Sequence, residues 1–157
     1  MFDEWTGFIT LIASEITSFH ADRFFPLKNG TLSGILNIET LRILKIENSG
    51  PITPKFDFSP AKNLEFFEVF EDAQTSMLHR STLPTGKNFQ LPNLQFLKIL
   101  NVNFDPKRRT ALFFEFPKLT TVYLDYERTF EQTVLDHLKA ACTNIETFSV
   151  KFENKIA

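Results

Sequence analysis

The 157-residue chain is short of several things that would define a function. It has a single cysteine, Cys142, so an internal disulfide is excluded, and a reducing cytoplasmic or nuclear location is expected. Cys142, His20, His79 and His137 show no paired metal-ligand spacing, so neither a structural metal nor a cofactor is expected. Glycine is scarce, at 5 residues, and GxxxxGK[ST], GxGxxG and GxSxG are all missing. The loops that cradle phosphates or expose a nucleophile therefore have no material, no carboxylate pair is singled out for acid–base work, and no catalytic residue is assigned. Basic residues are not in excess: 17 Lys and Arg face 19 Asp and Glu, for a net charge of −2, which argues against nucleic acid as partner. No apolar run approaches a membrane span, and Met1-Phe2-Asp3-Glu4 is acidic where a signal peptide is basic, so no membrane association is expected. Tryptophan (1) and tyrosine (2) are rare as well, but phenylalanine is not: there are 19, mostly in runs with Leu, Ile or Val.

Those runs repeat. The pattern LxxLxL occurs at Leu41-Leu44-Ile46, Leu64-Phe67-Val69, Leu94-Leu97-Ile99, Leu119-Val122-Leu124 and Ile145-Phe148-Val150, with every anchor large and apolar. The copies are 23, 30, 25 and 26 residues apart, the period of a stacked repeat. A short polar lead ending in Asn or Lys precedes four of them, at Asn63, Asn93, Lys118 and Asn144. Two apolar residues two apart point to one face of a strand, and such a strand buries that face only if the next copy stacks on it. One strand per copy in a parallel sheet follows.

The returns between strands are less uniform. Thr129 to Cys142 opens on a capping box, and Phe130, Val134, Leu138 and Ala141 or Cys142 recur at helical spacing, which predicts a helix. Asp105-Pro106 predicts a second, shorter helix over 107–114. The prolines between Ser49 and Pro60 predict an extended return, and 73–91 reads as a loop with one turn near 75–79. In the first 37 residues Ile9, Ile12, Ile16 and Phe19 share a helical face, while Ile16-x-x-Phe19-x-Ala21 also fits a degenerate copy. The reading adopted is a helix followed by an irregular copy, with Asn29-Gly30-Thr31 as a turn rather than a glycosylation site. No polar cap is visible before Ala157, which leaves a fragment of a longer solenoid or an edge that meets a partner.

The segments LPNLQFLKI, FPKLTTVYL and CTNIETFSV resemble the leucine-rich-repeat family, in the irregular form found in the substrate-receptor region of F-box proteins. The resemblance covers about residues 38–153; nothing in the chain resembles the F-box itself. It implies an α/β fold: a single solenoid domain over 1–157, with five recognisable repeats over 38–157, a curved parallel sheet, and helices and extended loops on its convex side. The asparagine of the regular family is matched only by Asn48 and Asn101, so a tight horseshoe is not expected. The resemblance also implies a role in delivering substrates to a ubiquitin ligase.

Function then rests on the concave face. Lys45, Glu68, Lys98, Tyr123 and Ser149 fall side by side, as a register-setting charge ladder or as part of a binding surface. The flanking columns are Ile43, Phe66, Phe96, Thr121, Thr147 and Glu47, Phe70, Leu100, Asp125, Lys151. Phe66, Phe70, Phe96, Leu100, Tyr123 and Tyr126, rimmed by Glu65, Glu68, Glu71, Lys98 and Asp125, form the candidate site for a protein partner. The competing reading buries Phe66 and Phe96 in the core. Lys107-Arg108-Arg109 reads as a solvated turn, His137 as a surface residue and Cys142 as packing at a helix end.

Overall fold

The strands of the five LxxLxL copies are all entered through the same tight turn, and the turn explains the polar lead. The amide of the first anchor donates to the carbonyl three residues earlier, as in Leu41 to Ile38, Leu64 to Ala61, Leu94 to Leu91 and Leu119 to Phe116, each at 3.1 Å, and Ile145 to Cys142 at 3.3 Å. The turn's first residue is buried in all five copies, from Leu91 at 0% to Cys142 at 6% exposure, adding an apolar position to the repeat. The residue before the anchor then reaches back one copy. Asn63 Nδ2 donates to the Glu39 carbonyl, Asn93 to that of Lys62 and Asn144 to that of Pro117, at 2.9, 2.9 and 3.1 Å. Lys118 interrupts this ladder, and its Nζ donates instead to Asn93 Oδ1 at 2.7 Å. Asn93 thus ties three copies together, and Asn93→Ala is expected to cost about 1 kcal/mol, read by urea denaturation.

The computed structural model describes residues 16–23, 27–50, 52–53, 55–72, 81–84, 86–104, 116–126 and 142–152. In chain order these contain β1 (Ser18–Ala21), α1 (Asn29–Leu36), β2 (Ile43–Glu47), β3 (Phe66–Phe70), β4 (Thr82–Leu83), a 3-10 turn (Gly86–Phe89), β5 (Phe96–Leu100), β6 (Asn103–Phe104), β7 (Thr121–Tyr126) and β8 (Thr147–Phe152). Six strands form one parallel sheet in the order β1-β2-β3-β5-β7-β8, arranged as a solenoid, while β4 and β6 pair separately, also parallel. At each strand entry one carbonyl accepts two amides of the next copy. Arg42 O receives Glu65 N and Phe66 N, Glu65 O receives Gln95 N and Phe96 N, and Gln95 O receives Thr120 N and Thr121 N.

The five LxxLxL copies all supply strands to this sheet in the expected register: Leu44↔Phe67↔Leu97↔Val122↔Phe148. Ile16-x-x-Phe19-x-Ala21 is a sixth copy rather than part of a helix, with β1 aligned on β2 and Thr17 O receiving Arg42 N and Ile43 N. The helical face that would include Ile9 and Ile12 lies outside the described residues. Asn29 and Gly30 are not a turn; they open α1, whose Thr31, Leu32, Ile35 and Leu36 are buried. Those four alternate at one and three residues, so one helix side meets the core, and that burial outweighs the turn preference of Asn-Gly. The return over 49–60 contains no helix among its described residues, as its prolines predict. The second return, expected as a loop with one turn near 75–79, carries β4 and the 3-10 turn, while 75–79 lies outside the described residues. Both helices predicted over 107–114 and 129–142 fall outside the described residues, except that Cys142 begins the turn into β8.

The core lies on one face of the sheet. Leu44, Ile46, Phe67, Val69, Leu97, Ile99, Val122 and Leu124 point into it, none more than 6% exposed, and the returns cover them with Ile52, Phe58, Leu83 and Phe89. Burying each such side chain contributes about 1.5–3 kcal/mol. The phenylalanines meet edge to face: Phe58 lies 5.4 Å from Phe56 and 5.2 Å from Phe89, and Phe89 lies 5.2 Å from Phe116, between ring centroids. The chain leaves β2 and β5 through Asn48 and Asn101, both with left-handed backbone (φ 49° and 56°). They are a structural pair seven residues after their anchors; Asn48 Oδ1 accepts the Asp72 amide at 2.7 Å, which ties the end of β2 to the end of β3.

Candidate protein-binding face

The opposite face of the sheet carries the alternate residues of each strand. Its register is the one the repeat spacing implies: Lys45↔Glu68↔Lys98↔Tyr123↔Ser149 form one row, Ile43↔Phe66↔Phe96↔Thr121↔Thr147 the second, and Glu47↔Phe70↔Leu100 the third. Phe66, Phe70, Phe96, Leu100 and Tyr123 are half-buried, in contrast to the fully buried Phe67 and Leu97 one residue away. Phe66 and Phe96 therefore do not belong to the core.

Cross-strand spacing dictates how the aromatic row packs. Residues directly opposite on neighbouring strands stand about 4.8 Å apart, which leaves two phenyl rings of the same rotamer no option but to stack in parallel. Phe66 and Phe96 do so at 4.0 Å and 5°, and Phe96 meets Tyr123 at 5.6 Å and 40°. The Lys45 ammonium lies 5.3 Å from the Phe66 centroid, on the side of the neighbouring strand. The row thus reads cation, ring, ring, ring along the solenoid, with ring faces against one another and ring edges toward solvent. Contacts of these kinds contribute about 0.5–1.5 kcal/mol each.

Beside it runs the charged row. Lys98 Nζ lies 2.6 Å from Glu68 Oε1, and Lys45 Nζ 3.9 Å from Glu68 Oε2, so two ammoniums share one carboxylate. The side chains of Lys45 and Lys98 are 44% and 33% exposed and that of Glu68 only 20%, while Glu47 beside them is 49% exposed, so charge of both signs reaches solvent there. His20 continues the row on β1, with Nε2 3.5 Å from Glu47 Oε2. Sequence reading passed over His20 because β1 is the most degenerate copy, although its place between Phe19 and Ala21 matches that of Lys45 between Leu44 and Ile46. His20, Lys45, Glu47, Glu68, Phe70, Lys98 and Leu100 line a depression of about 330 Å³ on this face.

The expected rim needs correction. Glu71 is 4% exposed, and both its carboxylate oxygens lie 3.0 Å from the Ser81 amide, so it joins the interior rather than the binding surface. The alternation of the strand carries on one residue past β3, so that Glu71 follows Phe67 and Val69 inward, and its amide donates to the Leu100 carbonyl. Glu65 stands at the strand entry, paired with Arg42 at 3.5 Å. Asp125 and Tyr126 fall in β7 opposite Lys151 and Phe152, but their side chains lie outside the described residues. Cys142 is buried, and burial pushes its thiol pKa up. Lys107, Arg108, Arg109 and His137 are also outside the described residues. Among the described residues no group of three His, Cys, Asp or Glu side chains converges, and no helix is long and apolar enough to cross a membrane.

No family model matches the chain, and neither a curated protein nor a solved structure matches it.

Proposed function

We propose that the chain is a non-catalytic leucine-rich-repeat module that binds a protein partner through the uncovered face of its sheet. The observation that carries this reading is the half-buried Phe66–Phe96–Tyr123 row lying beside the Lys45–Glu68–Lys98 row, on a face that no described return covers. An apolar strip flanked by ordered charge is how interfaces combine affinity with partner choice. The LxxLxL copies and their resemblance to F-box receptors support the finer proposal that the partner is a substrate of a ubiquitin ligase, in the cytoplasm or nucleus.

Affinity capture compares wild type with Phe66→Ala/Phe96→Ala and with Phe70→Ala/Tyr123→Ala. Both double variants are expected to lose specific partners while keeping a thermal unfolding midpoint close to wild type. Unchanged capture overturns the reading, and so does unfolding of both variants, which would assign these rings a structural role.

One observation favours a second reading, a building block of a larger solenoid. Ile145 and Phe148 of the last copy remain only partly buried where Leu119 and Val122 of the preceding copy are fully buried. In that case the β8 edge is the contact, and capture is insensitive to Phe66 and Phe96.

A further inference from the structure

Among the described residues, the two end strands of the sheet each lack one side of the joint that every internal pair of copies makes. At all five joints the carbonyl one residue after the first anchor accepts two amides of the next copy, from Thr17 O with Arg42 N and Ile43 N to Thr120 O with Glu146 N and Thr147 N. In β8 the equivalent carbonyl is that of Glu146, and in β1 the equivalent amides are those of Thr17 and Ser18. No described strand pairs with the outer edge of either. The apolar positions are unfinished in the same way. Ile16 and Phe19 at one end and Ile145 and Phe148 at the other are only partly buried, where the matching Leu41, Leu44, Leu119 and Val122 are at most 1% exposed.

We propose that a second copy of this chain covers the β8 edge with its own β1, in parallel, so that the solenoid continues from one chain into the next. This joint rests on the building-block reading above and identifies the neighbour. Carrying the register across it sets Glu146 O against Thr17 N and Ser18 N, Ile145 against Ile16, and Phe148 against Phe19. On the opposite face Thr147 falls beside Ser18, Ser149 beside His20, and Lys151 beside Asp22, the residue after β1. No row brings like charges together, and the row charged on both sides pairs Lys with Asp.

The same residues select the direction. A two-fold pairing of β8 with β8 runs the strands antiparallel and sets the entry residue Ile145 beside the other strand's exit, whereas the joint of one carbonyl with two amides occurs here only between entries that lie side by side. Parallel stacking covers Ile145 and Phe148 of one chain and Ile16 and Phe19 of the other at once. Such a contact joins two different surfaces, so it adds chains one after another rather than stopping at a dimer. It uses only the sheet edges and leaves the Phe66–Phe96–Tyr123 row clear.

Cysteine cross-linking of the full chain tests this. Ser149→Cys and His20→Cys are made separately, each with Cys142→Ala, because residues in register on neighbouring strands stand about 4.8 Å apart, within reach of a disulfide. Under copper–phenanthroline oxidation the equimolar mixture is expected to form its mixed dimer about tenfold faster than either variant forms its own. In sedimentation velocity, wild type is expected to gain mass beyond the dimer as concentration rises. Ser18→Pro removes one outward amide of β1 and is expected to stay monomeric, with an unfolding midpoint near wild type. Faster dimer formation by Ser149→Cys alone indicates the two-fold pairing and overturns the proposal, as do equal rates in all three samples or unaltered assembly of Ser18→Pro. If wild type stays monomeric and the mixture gains nothing, while affinity capture is insensitive to Phe66→Ala/Phe96→Ala, the second copy is rejected and the building-block reading stands with another chain as neighbour. If that aromatic variant abolishes capture, the building-block reading falls with it.

Discussion

Phe89→Ala is expected to destabilise the protein by about 3–5 kcal/mol, the largest effect of any single substitution considered for this fold. Phe89 closes the 3-10 turn of the longest return and is fully buried. Its ring lies 5.2 Å from Phe58, 6.0 Å from Phe67 and 5.2 Å from Phe116, so it joins the first return, β3 and the turn into β7 in one contact. The backbone repeats the link, since the Phe58 amide donates to the Asn88 carbonyl at 2.7 Å. Truncation leaves a cavity that side chains from three separate copies border, and none of them closes it without leaving its own strand or turn. Phe70→Ala is the control: its ring is half-buried on the opposite face, and about 1 kcal/mol or less is expected. Equilibrium urea unfolding of both variants reads the difference. Equal losses would mean that the two faces are equally packed.

The second large effect is expected at Glu71. Glu71→Ala should cost about 2–3 kcal/mol, because it strands the buried Ser81 amide and withdraws a charge-assisted hydrogen bond. Ser81 is 1% exposed and works as a hub. Its hydroxyl oxygen accepts the Ile52 amide at 2.7 Å, its hydroxyl donates to the Gly50 carbonyl at 3.4 Å, and the next residue, Thr82, donates its amide to the Ile52 carbonyl at 2.8 Å. The carboxylate therefore holds the strand β4 against the first return, and through it the edge of the core around Leu83. Glu71→Gln keeps one acceptor oxygen and should lose about half as much. Hydrogen exchange at the Ser81 amide gives a local reading: protection falls sharply in Glu71→Ala and is partly retained in Glu71→Gln. A loss below about 0.5 kcal/mol in Glu71→Ala, with Ser81 still protected, would show that the carboxylate is not what holds this segment.

These two residues mark what one-dimensional reading reaches. The spacing of Leu41, Leu64, Leu94, Leu119 and Ile145 was sufficient for strand order, parallel pairing and register, because a strand has a period of two and a stacked copy must bury the same side as its neighbour. The rows of the face opposite the core follow from that register alone, and with them Phe66, Glu68, Phe96, Lys98 and Tyr123 as neighbours. Asn63, Asn93 and Asn144 were visible as a recurrence but not as a ladder, since their partners are backbone carbonyls of the copy before.

The local arrangement of the returns was not legible in the same way. Each return is a different length, so nothing in the spacing aligns one with the next, and which of its residues is buried depends on what the other returns leave open. Alternation alone turns Glu71 inward after Phe67 and Val69, but the amide it meets there, ten residues later, depends on the return, as does the helix that Asn29-Gly30 starts and the core holds by its apolar side. Sequence by itself determined the repeat, the strands of its five copies and the order of residues along the face opposite the core, because those depend on periodicity. Only the tertiary structure decided which phenylalanines fill the core and which stack at the surface, and that two lysines share one carboxylate there, because burial and charge balance are set by contacts between copies that no single copy encodes.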